Sequence, residues 1–105
     1  MSDSSYSIAI KQKVRILAVT DQDELRGLAR EAFGHSAKRF EFLEAKSGEE
    51  GVRAALKEKP DVVLMDMSLH SLSGIDAARQ IKAQLPRSKV ILFTMYLCDD
   101  SPAGF

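Results

Sequence analysis

At 105 residues the chain suits one domain, small but long enough to bury a core. It is 45% hydrophobic and 29% charged, and fifteen basic residues balance fifteen acidic ones. That composition excludes a disordered or fibrous chain and gives no charge excess that calls for nucleic acid or an anionic membrane. No apolar run approaches the roughly 20 residues of a membrane span. The start, MSDSSYSIAIKQK, has no basic cluster leading into an apolar stretch, so no signal peptide is read. The single cysteine, Cys98, excludes an internal disulfide and suits a reducing cytoplasm.

Residues 1–12 are serine-rich and polar and read as a flexible lead-in to a domain over 13–105. Val14 to Val19 is an apolar run of strand length that ends in Thr20-Asp21. Asp21, Asp23 and Glu24 then open a helical pattern with Leu25, Leu28, Ala29, Ala32 and Phe33 on one face, their charges suiting the positive end of the helix dipole. Gly34 and His35 end it. Phe40 to Ala45 alternates as a second, less buried strand. Ser47-Gly48-Glu49-Glu50 matches the S-x-x-E capping box, so a helix starts at Ser47, carries Val52, Ala55 and Leu56 inward and closes at Pro60. Asp61 to Asp66 is a third strand. Gly74 to Leu85 is a third helix with Ile75, Ala78, Ile81 and Leu85 inward, and Lys89 to Thr94 is a fourth strand. The remainder, MYLCDDSPAGF, is too short for a further strand and helix.

Alternating strands and helices of this kind predict an α/β fold: a three-layer, doubly wound parallel sheet with right-handed crossovers. The near-continuous apolar strands at 16–19, 62–65 and 90–93 predict burial on both faces. Ligands of such sheets bind outside the carboxyl ends of the strands. Three strands here end in oxygen-bearing side chains: Thr20-Asp21, Asp66 and Thr94. Two carboxylates brought together at that rim raise each other's pKa unless a cation lies between them. Mg²⁺ suits such a place, being held by one or two carboxylates, water and phosphate oxygens. Taken singly, Asp21 also reads as a helix cap, Asp66 as a turn former and Thr94 as a strand-end hydroxyl.

VRILAVTDQDELRGLAREAF, EAKSGEEGV, KPDVVLMDMSLHSLSGIDAARQIK and KVILFT follow one another at the spacing of a known family, and the chain from Val14 to about Tyr96 resembles the receiver domain of two-component response regulators. The resemblance implies a flavodoxin-like sheet of strand order 2-1-3-4. It makes Asp66 the phosphoacceptor, which takes a phosphoryl group from a sensor histidine kinase or phosphotransfer protein. It makes Asp21 and Asp66 direct Mg²⁺ ligands, adds the Ser68 backbone carbonyl as a third, and makes Thr94 the hydroxyl that contacts the phosphoryl oxygens and moves on activation. Phosphoryl transfer asks mainly for positioning and charge neutralisation, which such a set supplies.

The sequence also departs from the family. Thr20 stands where the first acid of an acidic pair is usual, which leaves it a weak, water-mediated metal contact. His70 replaces a usual proline, and Met95 a usual small residue. The family continues through a fifth strand that ends in a lysine, and a last helix, neither of which the chain's end provides. Lys82 and Lys89 lie at the wrong ends of their elements to substitute for that lysine. The expected sheet therefore lacks the fifth strand and last helix and leaves Val90–Phe93 as an apolar edge, which predicts a homodimer through that edge or through the C-terminal tail. Two functions stand side by side: a cytoplasmic, Mg²⁺-dependent phosphoacceptor acting through a downstream protein partner, and a degenerate, phosphorylation-independent interaction or dimerisation module. No enzyme is expected beyond self-phosphorylation or dephosphorylation at Asp66, since VTDQDE lacks the dinucleotide-binding glycines and LHSLSGI lacks a nucleophile elbow. Neither nucleic acid nor membrane is expected as a partner.

Overall fold

The computed structural model describes residues 13–35, 38–69 and 73–94. Four parallel strands alternate with three helices: β1 (Val14–Val19), α1 (Asp23–Gly34), β2 (Phe40–Ala45), α2 (Gly48–Glu58), β3 (Val62–Asp66), α3 (Gly74–Gln84) and β4 (Lys89–Phe93). The sheet order is β2-β1-β3-β4, with every neighbouring pair parallel. The segments 1–12 and 95–105, and with them His70, Met95 and Cys98, lie outside the described residues.

The helix starts follow local chemistry. Ser47 is the N-cap of α2 and its side chain accepts the Glu50 N–H at 3.0 Å. Glu50 reaches back to the Lys46 N–H at 2.9 Å, one residue before the expected box partner. Ser73 caps α3 in the same way, accepting from Asp76 N–H at 3.1 Å. At its far end α2 closes through Lys59, whose φ of 50° is left-handed, and Pro60 follows it.

Leu17, Val19, Val63 and Met65 pack with Ala55, Ala77, Ala78 and Ile81 into the main core, between the sheet and the α2–α3 layer. On the opposite face α1 lies over β2 and β1, where the Phe33 ring meets Phe40 edge-on and Phe42 in a stack, at centroid distances of 5.2 and 5.9 Å. That placement corrects three expectations. Burial on both faces holds for the inner strand β1, but β3 is only partly covered over Val62 and Leu64, and β4 is largely exposed. The reason is order: β4 is an edge among the described residues, and α1 reaches only the β2–β1 side. Leu28, expected inside, is 63% exposed because it points away from that contact, and Ala32 is exposed too. In α3 the inner face is Gly74, Ala77, Ala78 and Ile81, while Ile75 is exposed.

Candidate functional site

The register sets Ala18 opposite Leu64 and Val19 opposite Met65. One residue further, Thr20 and Asp66 meet at the carboxyl rim of the sheet, where both are buried and Asp66 is 0% exposed. The Thr20 hydroxyl donates to Asp66 Oδ2 at 2.6 Å and accepts the Gln22 N–H at 3.2 Å. The other carboxylate oxygen, Oδ1, accepts the Ser68 N–H at 2.8 Å and the Ser68 hydroxyl at 2.6 Å. This Asx turn converts the end of β3 into loop.

Burial alone pushes the Asp66 carboxyl up, but hydrogen bonds from the Ser68 hydroxyl, Thr20 and the Ser68 N–H outweigh it. The net result is a carboxyl held below its ordinary value of 3.8. Asp66 is therefore an anion at neutral pH, and hydrogen bonds rather than a second carboxylate set its ionisation.

Two further residues build the rim. Arg26 of α1 is 5% exposed; its Nη1 donates to the Thr20 carbonyl at 2.6 Å, its Nη2 pairs with Asp23, and its Nε lies 3.4 Å from Glu44 Oε1. It thus ties the β1–α1 turn to β2. Gly74, the first residue of α3, rests on the backbone of Asp66 and Met67. A Cβ there would lie 2.8 Å from Met67 Cα and closer still to the Asp66 carbonyl oxygen. The glycine is required by this close approach, not by a positive φ.

A sequence model of the response regulator receiver domain matches residues 16–102. The chain belongs to the receiver domain family. The match extends past Tyr96, the end of the resemblance read from the motifs. This receiver is 39% identical to the transcriptional regulatory protein LiaR of Bacillus subtilis over 83% of its own length and 41% of the relative's. It is 31% identical to the response regulator protein VraR of Staphylococcus aureus over 82% of its length, again 41% of the relative's. The chain thus spans about two fifths of these curated relatives. Among solved structures, the response regulator TrrA of Thermotoga maritima, determined in complex with Mg²⁺ and BeF, is 29% identical with a TM-score of 0.72, covering 83% of this receiver and 76% of that chain. A receiver domain protein of Clostridium thermocellum is 30% identical with a TM-score of 0.71, covering 82% and 69%.

Of the residues singled out in the sequence, Asp66, Thr20 and Ser68 are brought into direct contact. Asp21 follows Thr20 on the exposed rim, and Thr94 follows β4, where the register continues opposite Met67, one step beyond Asp66. The Thr20 hydroxyl bonds Asp66 directly. Lys82 is engaged at the opposite end of the sheet, donating to the Pro86 and Ser88 carbonyls at 3.0 and 2.6 Å. Among the described residues no group of three or more His, Cys, Asp or Glu forms a metal cluster. The donors that the resemblance implies for a metal are the Asp21 and Asp66 carboxylates, the Ser68 carbonyl and the Thr20 hydroxyl. All are hard oxygens, and Asp66 is held ionised, so the set fits a hard divalent cation such as Mg²⁺.

Sequence reasoning missed Arg26 and the Ser68 side chain. The D-x-S order directly after a strand is itself an Asx-turn signal that identifies Ser68. Arg26 leaves a fainter one, an acid three residues earlier in the same first turn.

Proposed function

We propose that this receiver accepts a phosphoryl group on Asp66 from the phosphohistidine of a sensor kinase or phosphotransfer protein. The observation that carries the reading is Asp66 itself: the one fully buried carboxylate among the described residues, placed at a strand's end and kept ionised by three hydrogen bonds. Oδ2, which accepts one hydrogen bond among the described residues, supplies the attacking lone pair. The phosphorus–nitrogen bond of the donor breaks as the new oxygen–phosphorus bond forms, giving an acyl phosphate and an imidazole. Mg²⁺, when bound by Asp21, Asp66 and the Ser68 carbonyl, supplies charge neutralisation for the incoming phosphoryl oxygens. Ser68 holds Oδ1 still, so the carboxylate presents a fixed edge. The Thr94 hydroxyl contacts the transferred group, and Arg26 fixes the turn that carries Asp21. The product acts in the cytoplasm through a downstream protein partner.

Incubation with Mg²⁺ and acetyl phosphate, followed by intact-mass measurement, tests this. One added phosphoryl mass that is absent in Asp66→Asn supports it, and no added mass with acetyl phosphate or a phosphodonor kinase overturns it. The Thr20–Asp66 hydrogen bond favours a second reading, since a hydroxyl stands where an acid would strengthen cation binding. In that reading the domain binds its partner without phosphorylation, and partner binding is unchanged in Asp66→Asn.

A further inference from the structure

We propose that the cleft between the α2–β3 and α3–β4 loops, at the end of the sheet opposite Asp66, docks an acidic peptide segment of a partner protein, with an apolar side chain in the cleft and carboxylates at Lys59 and Arg87. Residues 59–61 and 84–88 line this cleft, whose volume is about 340 Å³. Both walls, and the strands that carry them, are among the described residues, and the lining takes nothing from the outer side of β4. Pro60, Leu85 and Pro86 give it an apolar lining. The buried Ser88 hydroxyl donates to the Pro60 carbonyl at 2.6 Å, which ties one wall to the other. The Lys89 N–H donates to the Asp61 carbonyl at 2.9 Å, and Lys82 holds the carbonyls of Pro86 and Ser88. A cleft fixed in this way spares a ligand the cost of ordering it.

Charge decides what the cleft takes. Lys59 and Arg87 stand exposed on its two walls, and the exposed Lys89 follows directly on Ser88. None of these three belongs to an ion pair among the described residues. The acids at this end are engaged: Glu41 and Glu58 pair with Arg15 at 3.3 and 2.6 Å. Asp61, the carboxylate in the lining, accepts the Arg15 N–H through Oδ2 at 2.8 Å. A simpler account is that the cations answer the C-terminal ends of α2 and α3, each worth about half a negative charge. Lys57 in the last turn of α2 and Lys82 in that of α3 already meet that need. Lys59, Arg87 and Lys89, set against Asp61, leave an excess of about two positive charges around an apolar cleft. The acids of the carboxyl rim do not cancel it. The five residues of β3 separate the two ends by about 17 Å, roughly twice the Debye length at physiological salt.

An acidic peptide meets both features of the cleft, whereas nucleic acid meets only the charge. No aromatic side chain lines the cleft to stack a base, and an excess of about two charges neutralises only a couple of phosphates. An apolar residue between acids loses water-exposed surface in the cleft and brings its carboxylates to the cations on both walls. None of this depends on Asp66 being an acceptor.

Nuclear magnetic resonance titration of the isotope-labelled 105-residue chain with the end-blocked peptide EELEE tests this. The amide signals of Lys59, Asp61, Leu85, Arg87 and Ser88 should shift and saturate, and binding should weaken as salt rises from about 50 to about 300 mM. The peptide EESEE should bind about tenfold more weakly, because the apolar contact is gone. Lys59→Gly combined with Arg87→Ala should also lose about tenfold in affinity for EELEE. Signals distant from the cleft should stay in place in that variant, which shows its fold intact. The proposal is overturned if EELEE at millimolar concentration leaves those amides unmoved, if EESEE binds equally well, or if the double variant binds as the parent does. A thymidine oligonucleotide that moves the same amides at lower concentration than EELEE overturns it as well.

Discussion

Replacing Thr20 by valine removes one hydroxyl and with it two hydrogen bonds at the buried rim: the donor to Asp66 Oδ2 at 2.6 Å and the acceptor for Gln22 N–H at 3.2 Å. The first is charge-assisted and worth about 1.5–3 kcal/mol, and the second about 1 kcal/mol. Shape is nearly conserved, so the expected loss at neutral pH is about 2–4 kcal/mol, a large share of a domain's roughly 5–15 kcal/mol. The loss should depend on pH. Asp66 is held below its ordinary 3.8, so its contribution is complete above that value and is lost as pH falls through the lower folded pKa. Valine raises the folded pKa, because a hydrogen bond that favours the anion is gone while burial remains. The gap between parent and variant is therefore widest near neutrality and narrows below about pH 4. Urea titrations followed by far-ultraviolet circular dichroism at a series of pH values measure it, with Thr20→Ser as the control that keeps the hydroxyl. A loss under about 0.5 kcal/mol at pH 7, or a loss that does not change with pH, would refute the view that Thr20 holds Asp66 ionised.

Glycine substitutions should differ in sign with position. Gly74→Ala drives a Cβ into the Asp66–Met67 backbone and should cost about 3 kcal/mol, as overpacking does where no side chain can yield. Gly27→Ala, with nothing within 4 Å of its Cβ, should stabilise α1 by about 0.5–1 kcal/mol; both are read from urea midpoints. Lys59→Gly should stabilise by up to about 1 kcal/mol, because it relieves a left-handed non-glycine residue, and a lowered melting temperature would count against that. Arg26→Leu should cost about 2–4 kcal/mol by stranding the Thr20 carbonyl and leaving Glu44 with Arg30 as its partner. Phosphorylation of that variant by acetyl phosphate should slow while its Asp66 stays modifiable, since Arg26 positions the turn without touching the acceptor.

Much of the architecture was legible because each strand and helix carried its own local instruction. Ser47 with Glu50 marked a helix start, Pro60 a stop, and apolar runs ending in Thr20, Asp66 and Thr94 marked strand ends that a parallel sheet must gather. What escaped was decided by neighbours distant in sequence. Leu28 and Ile75 fit a helical apolar stripe as well as Phe33 and Ile81 do, and only the position of each helix over the sheet separates them. Arg26 was unreadable for the same reason: its burial depends on the Thr20 carbonyl and on Glu44 of another strand. The direct Thr20–Asp66 bond follows from a register that composition does not contain.

Gly74 leaves no spacer between the carbonyl of Asp66 and the first turn of α3, which makes the helix a lever with its pivot at the acceptor. Eleven residues give it a length of about 16 Å. A tilt of roughly 5° at the pivot sweeps the far end by about 1.4 Å over that length. At that end Lys82 grips the carbonyls of Pro86 and Ser88 just ahead of β4, and a displacement of this size is enough to open bonds of 3.0 and 2.6 Å. A tilt of α3 at that pivot would be felt at the opposite end of the sheet, where Lys82 holds the two carbonyls.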